Sequence, residues 1–324
     1  MSRLKVMPIS ENREKAINYF IKLAKAVDPN VRRGTLNHER ERILRDERDF
    51  IPIYMAANVL GAMLLSDAVC LAIVNSPQVW NVMSEGLAVG FLASELSKCQ
   101  REEKPALYCR GGGEDLLNIA FHATLSGLCR WREADVICNH LLNLWLGGGI
   151  DEAAAEQDDF LAFYWLLLLA QHDKKWPSVT EQEAKELGEF YPLFNTVADP
   201  EQFSNALVRY CDFRLARMHG YPNQHTSKHY HEFHSDALTY GPLQFFPAEL
   251  LAFKAIYERT TGYTCNLKGD HPLLKLPIMK PPSDLTLPEN QYTKRICEVG
   301  EKAFGKLWNP TGLVEVRFDN PPTL

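Results

Sequence analysis

The feature that most constrains the fold is a long stretch without basic side chains. No lysine or arginine occurs between Arg48 and Lys98. Two apolar segments, residues 53–75 and 79–97, fill most of this stretch, and Asn75-Ser76-Pro77 separates them with residue types that are typical of turns. Segments of this length and composition predict two helices that form an antiparallel hairpin. Because the hairpin lacks cations, we expect the rest of the chain to cover it.

Residues 53–74 are also the candidate for a membrane-spanning helix. Asn58, Ser66 and Asp67 interrupt the apolar run, and no basic residue follows its C-terminal end. We therefore predict a buried helix and no contact with a membrane. The N-terminal residues lack the apolar region of a secretory signal, which predicts a cytoplasmic location.

Helical periodicity continues along most of the remaining chain. The further predicted helices span residues 12–26, 114–129, 131–146, 152–171, 181–190, 200–218, 247–260 and 289–307. Only residues 313–318 alternate like a strand. The predicted fold class is therefore all-α, a multi-helix bundle of antiparallel helical hairpins with at most a short strand near the C-terminus.

The length of 324 residues, with 46% hydrophobic and 23% charged residues, is typical of an ordinary globular protein. We predict a single helical domain over residues 1–324, with residues 1–150 and 151–324 as the alternative sub-halves. Prolines cluster between residues 270 and 288, which predicts a long ordered loop on the surface.

In a mixed-charge segment, residues 38–49, the acids match the bases: it contains five acids, four arginines and one histidine. Because a nucleic-acid site needs a net positive footprint, we predict an exposed helix face with i,i+4 ion pairs instead. Nucleic acid is therefore not an expected partner.

The eight cysteines form no C-x-x-C pair, so we expect reduced thiols. Cys70, Cys129 and Cys138 lie in apolar stretches, where a free cysteine usually fills the core as a small hydrophobic residue.

The densest group of candidate metal ligands lies between residues 225 and 236. It consists of His225, His229, His231, Glu232, His234 and Asp236. Imidazole and carboxylate groups suit zinc or iron, so one hypothesis is a metal-dependent hydrolase. The spacing lacks the H-E-x-x-H pattern, and turn residues bracket the segment. We predict a hydrogen-bonded polar loop, with a metal site and pH-sensitive partner contacts as the alternatives, and no cofactor.

Other catalytic patterns are incomplete. Gly111-Gly112-Gly113 precedes a predicted helix, but the lysine and the hydroxyl residue of a phosphate-binding loop are missing. No G-x-S-x-G motif occurs. We therefore do not predict an enzyme.

Acidic residues are concentrated between residues 151 and 190. This segment contains ten acids and three lysines, a balance of −7 against −6 for the whole chain. An acidic helical surface attracts a basic partner and accelerates its association, although solvated acidic faces are also common. The predicted partner-binding residues are Asp151, Glu152, Glu156, Asp158 and Asp159.

The segment YGPLQFFPAELLAFKAIYER at residues 240–259, with Gly262 and the later His271-Pro-Leu-Leu274, resembles the C-terminal signature of bacterial immunity proteins. These are all-α inhibitors that belong to contact-dependent or type VI secretion toxin systems. The resemblance covers about 35 residues. It implies a cytoplasmic protein that binds a cognate toxin, such as a nuclease, without catalysis. The apolar residues of the segment are predicted to pack in the core.

A second hypothesis without catalysis is a helical-repeat scaffold for protein interactions. Residues 125–134 resemble the tight hairpin of tetratricopeptide repeats, with a small residue before a turn and an alanine after it. A second copy at that period is missing, and such folds need about three stacked units to bury a core.

Overall fold

The computed structural model describes residues 13–14, 17–18, 29–45, 51–103, 112–146, 159–218, 246–283 and 285–310. Within these ranges the chain is 80% helical, with eleven α-helices and no strand. The prediction of an all-α, multi-helix fold is confirmed. The predicted strand at residues 313–318 lies outside the described residues, as does most of the predicted first helix, of which residues 13–14 and 17–18 are helical.

The helices are numbered in chain order. They are α1 (Pro29–Leu44), α2 (Ile51–Ile73), α3 (Val79–Glu103), α4 (Gly112–Gly127), α5 (Trp131–Leu146), α6 (Asp159–Asp173), α7 (Glu181–Leu187), α8 (Tyr191–Thr196), α9 (Pro200–Met218), α10 (Ala248–Thr261) and α11 (Gln291–Phe304). Short 3-10 turns span Gly188–Phe190, Pro272–Lys275, Pro277–Met279 and Gly305–Leu307.

Helices α2 and α3 form the predicted antiparallel hairpin. The turn begins at Asn75, whose φ of 56° is left-handed, and the N–H of Ser76 donates to the carbonyl of Leu71 at 2.9 Å. The helices approach closely because Gly61 and Gly90 face each other: a Cβ added at Gly61 would lie 2.9 Å from the Cα of Gly90.

Helix α4 packs against this hairpin at the same point. The ring of Phe121 lies over Gly90, where an added Cβ would be 2.2 Å from two ring carbons. Phe121 is fully buried. The lack of a side chain at position 90 is therefore what allows three helices to meet.

The rest of the chain covers the α2–α3 hairpin only in part, whereas we expected complete burial. Sixteen of the 25 residues of α3 are buried, but only 12 of the 23 residues of α2. Ile51, Met55 and Val59 on the outer face of α2 are 40–53% exposed. Helix α2 is also the one helix, among the described residues, that is long and apolar enough to cross a membrane. That property alone is weak evidence, because the core helix of a soluble protein shares it.

Helix α10, which contains most of the segment that resembles immunity proteins, packs along α4 and contacts α6. A Cβ added at Gly127 would lie 2.5 Å from the Cβ of Leu251. Leu250, Leu251 and Phe253 are buried, which confirms their predicted packing role. Since α4 and α10 belong to different sub-halves of the chain, the contact joins the two.

Aromatic side chains of α6, of α10 and of the segments between α6 and α8 pack against one another. The ring of Phe163 stacks on Phe190 at a centroid distance of 4.4 Å and on Phe253 at 6.2 Å. Trp176 meets the ring of Phe253 edge-on at 5.0 Å. Such contacts add to the stabilisation from burial itself.

The proline-rich loop contributes to the core instead of lying on the surface. Its two 3-10 turns bury Leu273, Leu274 and Ile278, and the turn Pro277–Met279 contacts α2. The prediction of an ordered loop holds, but the predicted surface position is wrong for these residues.

The mixed-charge segment also differs from its prediction. Glu39 is buried, and it accepts from Arg42 at 2.8 Å with i,i+3 spacing. Arg40 pairs with Glu85 of α3 at 2.9 Å. The segment therefore binds α1 to the hairpin, and it is not simply a solvated face with i,i+4 pairs.

The core position predicted for three cysteines is right for Cys138, which is 1% exposed. Cys70 is only half-buried, on α2. The prediction is wrong for Cys129, which is exposed and has a φ of 55°. Cys129 occupies the left-handed position after α4, where the N–H of Arg130 donates to the carbonyl of Leu125 at 2.8 Å.

Two glycine substitutions test the close contact between the helices. Gly90→Ala should lower the free energy of unfolding by about 1–3 kcal/mol, because the added methyl group overlaps the Phe121 ring. Gly34→Ala is the control: an added Cβ on exposed helix α1 meets nothing within 4 Å. It should raise stability by about 0.5–1 kcal/mol through helix propensity. Urea unfolding followed by circular dichroism measures both, and a Gly90→Ala protein as stable as the wild type contradicts the proposed role of Gly90.

Candidate functional site

Of the five predicted partner-binding residues, the structure describes Asp159. Asp151, Glu152, Glu156 and Asp158 lie outside the described residues. Asp159 begins α6 and is half-buried, and its carboxylate oxygen lies 3.3 Å from the position of a Cβ at Gly188. The structure thus brings the start of α6 next to the end of α7, so that two parts of the acidic segment are neighbours.

Several other acids of this segment already bind groups within the chain. The Glu183 carboxylate accepts from the N–H of Thr180 at 2.7 Å in the capping box of α7. Glu189 accepts two hydrogen bonds from Arg209, at 2.7 and 2.8 Å. Because Arg209 lies outside the counted segment, the sequence balance of −7 overstates the negative charge of the folded surface.

The candidate metal ligands His225, His229, His231 and His234 also lie outside the described residues. In the part of the chain that the structure describes, no group of three or more histidine, cysteine or acidic side chains is arranged to hold a metal ion.

A chain of buried hydrogen bonds, here named the polar chain, begins at Tyr164 on α6. The Tyr164 hydroxyl lies 2.5 Å from Nδ1 of His122 on α4. The other ring nitrogen of His122, Nε2, lies 3.4 Å from the hydroxyl of Ser126, one turn further along α4. All three side chains are 0% exposed.

The polar chain continues from Ser126 to the surface. The Ser126 hydroxyl donates to Oε1 of Gln171 at 3.2 Å, and Nε2 of Gln171 donates to Asp135 at 2.8 Å. Arg259 of α10 donates two hydrogen bonds to the same carboxylate, at 2.7 and 2.9 Å. Its guanidinium carbon also lies 4.3 Å from the ring centroid of Trp131, a cation–π contact.

The carboxylate at the end fixes the direction of every proton in the polar chain. Because the Asp135 carboxylate accepts from Arg259 through both of its oxygens, Gln171 turns its amide nitrogen toward it and its oxygen toward Ser126. Ser126 must then donate to Gln171, so it accepts from Nε2–H of His122. Nδ1 of a neutral His122 consequently accepts a hydrogen bond from the Tyr164 hydroxyl, which also has the carbonyl of Ile119 at 3.3 Å as a second, more distant acceptor.

This arrangement argues against Ser126 and His122 as a nucleophile and its base. A general base must accept the nucleophile's proton, whereas here His122 donates to Ser126. Burial also lowers the pKa of His122 to about 4, against the weaker opposing effects of Asp135 and Gln171. The polar chain therefore joins α4, α5, α6 and α10 and keeps a neutral imidazole in the core.

Five of the seven described thiols are equally poor nucleophiles. Burial raises the pKa of Cys99 and of Cys265 to about 12 and that of Cys297 to about 11. It also raises the pKa of Cys138 and Cys211. These side chains are protonated at neutral pH, and the thiolate is the reactive form.

A second buried network joins α9 to α10. Arg214 donates to Oε1 of Glu249 at 2.6 Å and to the carbonyl of Phe246 at 2.9 Å, and both side chains of the ion pair are 0% exposed. Tyr210 donates to the same carboxylate oxygen at 2.7 Å. Burial raises the pKa of Glu249, and the positive charge of Arg214 opposes that rise.

A third group of buried ionisable residues lies on α3 and α5. Burial raises the pKa of Glu95 to about 7, although Lys98 lies 3.8 Å away and opposes the rise. Burial, with the positive charges of Arg101 and Lys98, lowers the pKa of His140 to about 3. The sequence analysis predicted neither the polar chain, nor the Arg214–Glu249 network, nor the ionisable residues of α3 and α5. The sequence feature that could have indicated them is an ionisable residue within an otherwise apolar helix face.

Compared with known protein families, with curated proteins and with solved structures, the chain matches none of them.

The pKa of His122 predicts how stability depends on pH. The ordinary pKa is 6.5 and the folded value is about 4, so between these values the unfolded chain binds a proton that the folded chain does not. Stability should therefore fall as the pH drops from 6.5 to 4, and His122 should contribute at most about 1.4 kcal/mol per pH unit to this fall. Well above pH 6.5, His122 should contribute no pH dependence to stability.

The variant His122→Gln isolates this contribution. Urea unfolding at several pH values should give a shallower loss of stability for the variant between pH 6.5 and 4, because glutamine does not titrate. His140 and Glu95 titrate in both proteins, with opposite signs, and cancel in the difference. Parallel curves would show that folded His122 titrates normally.

Removal of one partner from the Arg214–Glu249 pair tests the second network. Arg214→Met should cost about 3–5 kcal/mol, because it leaves a buried carboxylate without its cation. The double variant with Glu249→Gln retains an acceptor for Tyr210 without a charge. It should regain about 1 kcal/mol or more, as a double-mutant cycle of unfolding free energies measures. Additive losses would contradict a coupled pair.

Proposed function

We propose that this chain is a non-enzymatic immunity protein of the cytoplasm that binds and neutralises a cognate antibacterial toxin. The observation that carries the proposal is the concentration of acids between residues 151 and 190. Asp159 lies beside Gly188 at the end of α7, which supports the proposal because it brings the start of α6 next to the second part of this acidic segment.

The electrostatics favour a basic partner. A toxin that cleaves nucleic acid carries cations that attract phosphates, and an acidic inhibitor surface attracts the same cations. Such an inhibitor needs no reactive group, because occupation of the toxin's active site or of its assembly surface is sufficient.

Two features of the interior support a role without catalysis. Ser126 and His122 are the pair that most resembles a nucleophile and its base, and both are fully buried. His122 donates a hydrogen bond to Ser126, whereas a general base would have to accept the serine proton. The segment that resembles immunity proteins forms buried helix α10, so it supports the scaffold and not the binding surface.

The function is tested by purification of the tagged protein from the lysate of its source, elution with a salt gradient and identification of stoichiometric partners by mass spectrometry. We expect one basic protein whose expression alone arrests growth, and co-expression of this chain should restore growth. A partner that is not toxic contradicts the immunity role and supports a scaffold. Stoichiometric zinc or iron in untagged protein, with hydrolytic activity that a chelator abolishes, supports the alternative site at His225, His229, His231 and His234.

Charge reversal tests the proposed surface. The variant with lysine at Asp151, Glu152, Glu156 and Asp158 should associate with the toxin at least about ten times more slowly at low salt, because attraction becomes repulsion. The control reverses four exposed acids elsewhere, Glu41, Glu103, Glu289 and Glu301, and has the same net charge. Association rates from stopped-flow fluorescence at several salt concentrations compare the two. Equal rates for both variants would exclude residues 151–158 as the site.

A further inference from the structure

The buried hydrogen bonds of the polar chain can also be satisfied in a second direction. Between Tyr164 and Gln171 the polar chain consists of two hydroxyls, an imidazole and an amide. Each of these groups contains both a donor and an acceptor when the imidazole is neutral. Only the surface end has a fixed role, because the carboxylate of Asp135 accepts from Arg259 and from the Gln171 amide. The direction of the protons is therefore decided at that end.

The reversed direction begins with a rotation of the Gln171 amide by half a turn, which exchanges its oxygen and its nitrogen. The amide nitrogen then donates to the hydroxyl of Ser126, and that hydroxyl donates to Nε2 of His122 across the same 3.4 Å contact. The ring proton of His122 consequently moves to Nδ1. The oxygen and nitrogen of an amide have nearly the same size, so this exchange requires no movement of a helix.

The far end of the polar chain accommodates the reversed direction as well. When Nδ1–H of His122 donates to the Tyr164 hydroxyl, the tyrosine proton needs another acceptor. The carbonyl of Ile119 lies 3.3 Å from the Tyr164 oxygen, and a carbonyl has two lone pairs, so it can accept this proton in addition to a bond within α4. Every side chain from His122 to Tyr164 thus has a partner in both directions.

The two directions differ in the tautomer of His122 and not in its charge. Burial lowers the pKa of His122 to about 4, so the ring carries one proton at neutral pH in either case. That proton lies on Nε2 in the direction set by Asp135 and on Nδ1 in the reversed direction.

We propose that the polar chain is a conformational relay, in which the surface pair of Asp135 and Arg259 sets the tautomer of the buried His122. The side chains of the pair are 42% and 28% exposed, whereas His122 is 0% exposed. A carboxylate at position 135 holds the ring proton on Nε2, and a donor at the same position moves it to Nδ1. A change at the surface is thereby transmitted to the contact between α4 and α6.

NMR spectroscopy of the histidine rings tests the relay. In protein with isotope-labelled histidine, long-range proton–nitrogen spectra distinguish a ring protonated on Nε2 from one protonated on Nδ1, and His122→Gln identifies the signals of His122. The wild type should be protonated on Nε2. The charge-swapped variant Asp135→Lys with Arg259→Glu retains an ion pair but places a donor beside Gln171, so it should be protonated on Nδ1. The same tautomer in both proteins overturns the proposal, as does Nδ1–H in the wild type.

A variant of unchanged shape provides the test if the charge-swapped protein does not fold. Asp135→Asn presents either an oxygen or a nitrogen to Gln171, so both tautomers of His122 should be present in place of one. Asp173→Asn is the matched control: it removes one charge two residues after Gln171, from a side chain that is 59% exposed and that bonds His172 and not the polar chain. The control should retain Nε2–H alone. A single, unchanged tautomer in Asp135→Asn contradicts the relay.

Ser126→Ala separates the relay from a direct effect of charge on the ring. Alanine interrupts the polar chain between Gln171 and His122, so Asp135→Asn in this background should leave the tautomer populations of His122 unchanged. An effect of the same size as with Ser126 present would mean that the electric field of Asp135 acts through space, which overturns the proposal. None of these measurements involves a toxin, so their outcome is independent of the proposed function.

Discussion

The contact between Gly90 and the ring of Phe121 determines how the central helices are arranged. With no side chain at position 90, the ring of α4 reaches the backbone of α3, where Gly61 of α2 is also in contact. This contact fixes α4 against the hairpin and consequently fixes the neighbouring residue, His122, on another side of α4. From there His122 reaches Tyr164 of α6. A single absent Cβ thus governs both the packing of the hairpin and the start of the polar chain.

The buried polar groups specify which helices pair. Apolar surfaces attract one another without direction, so several arrangements of similar helices would bury comparable area. Hydrogen bonds discriminate, since an arrangement that leaves a buried donor or acceptor unpaired loses about 1–3 kcal/mol for each group. Ser94 bonds Asn118 between α3 and α4, the polar chain joins α4 to α5, α6 and α10, and Arg214 joins α9 to α10. We attribute the unique packing of this all-α fold to these bonds more than to its apolar area.

Local sequence was sufficient to predict most helices and insufficient for the polar networks. Residues 131–146 and 200–218 were predicted to the residue because Trp131 follows a turn and Pro200 is favoured at a helix start. Of the predicted site, Asp159 lies in the described part, and its position next to Gly188 depends on tertiary packing. The buried members of the polar chain lie between residues 122 and 171, and they are polar residues within apolar helix faces. Such a residue indicates burial of a polar group, but its partner comes from the fold.

The exposed side of α2 shows why absence of charge is an ambiguous signal in a sequence. An uncharged helix is compatible with burial on all sides within its own chain and equally with burial against another molecule. The two cases differ in the polar groups of the outer face. A face turned to water gains from hydration of its polar atoms, whereas the Ser66 hydroxyl is already bonded to its own helix. Together with the exposed side chains of Met55 and Val59, this self-satisfaction favours a surface suited to burial.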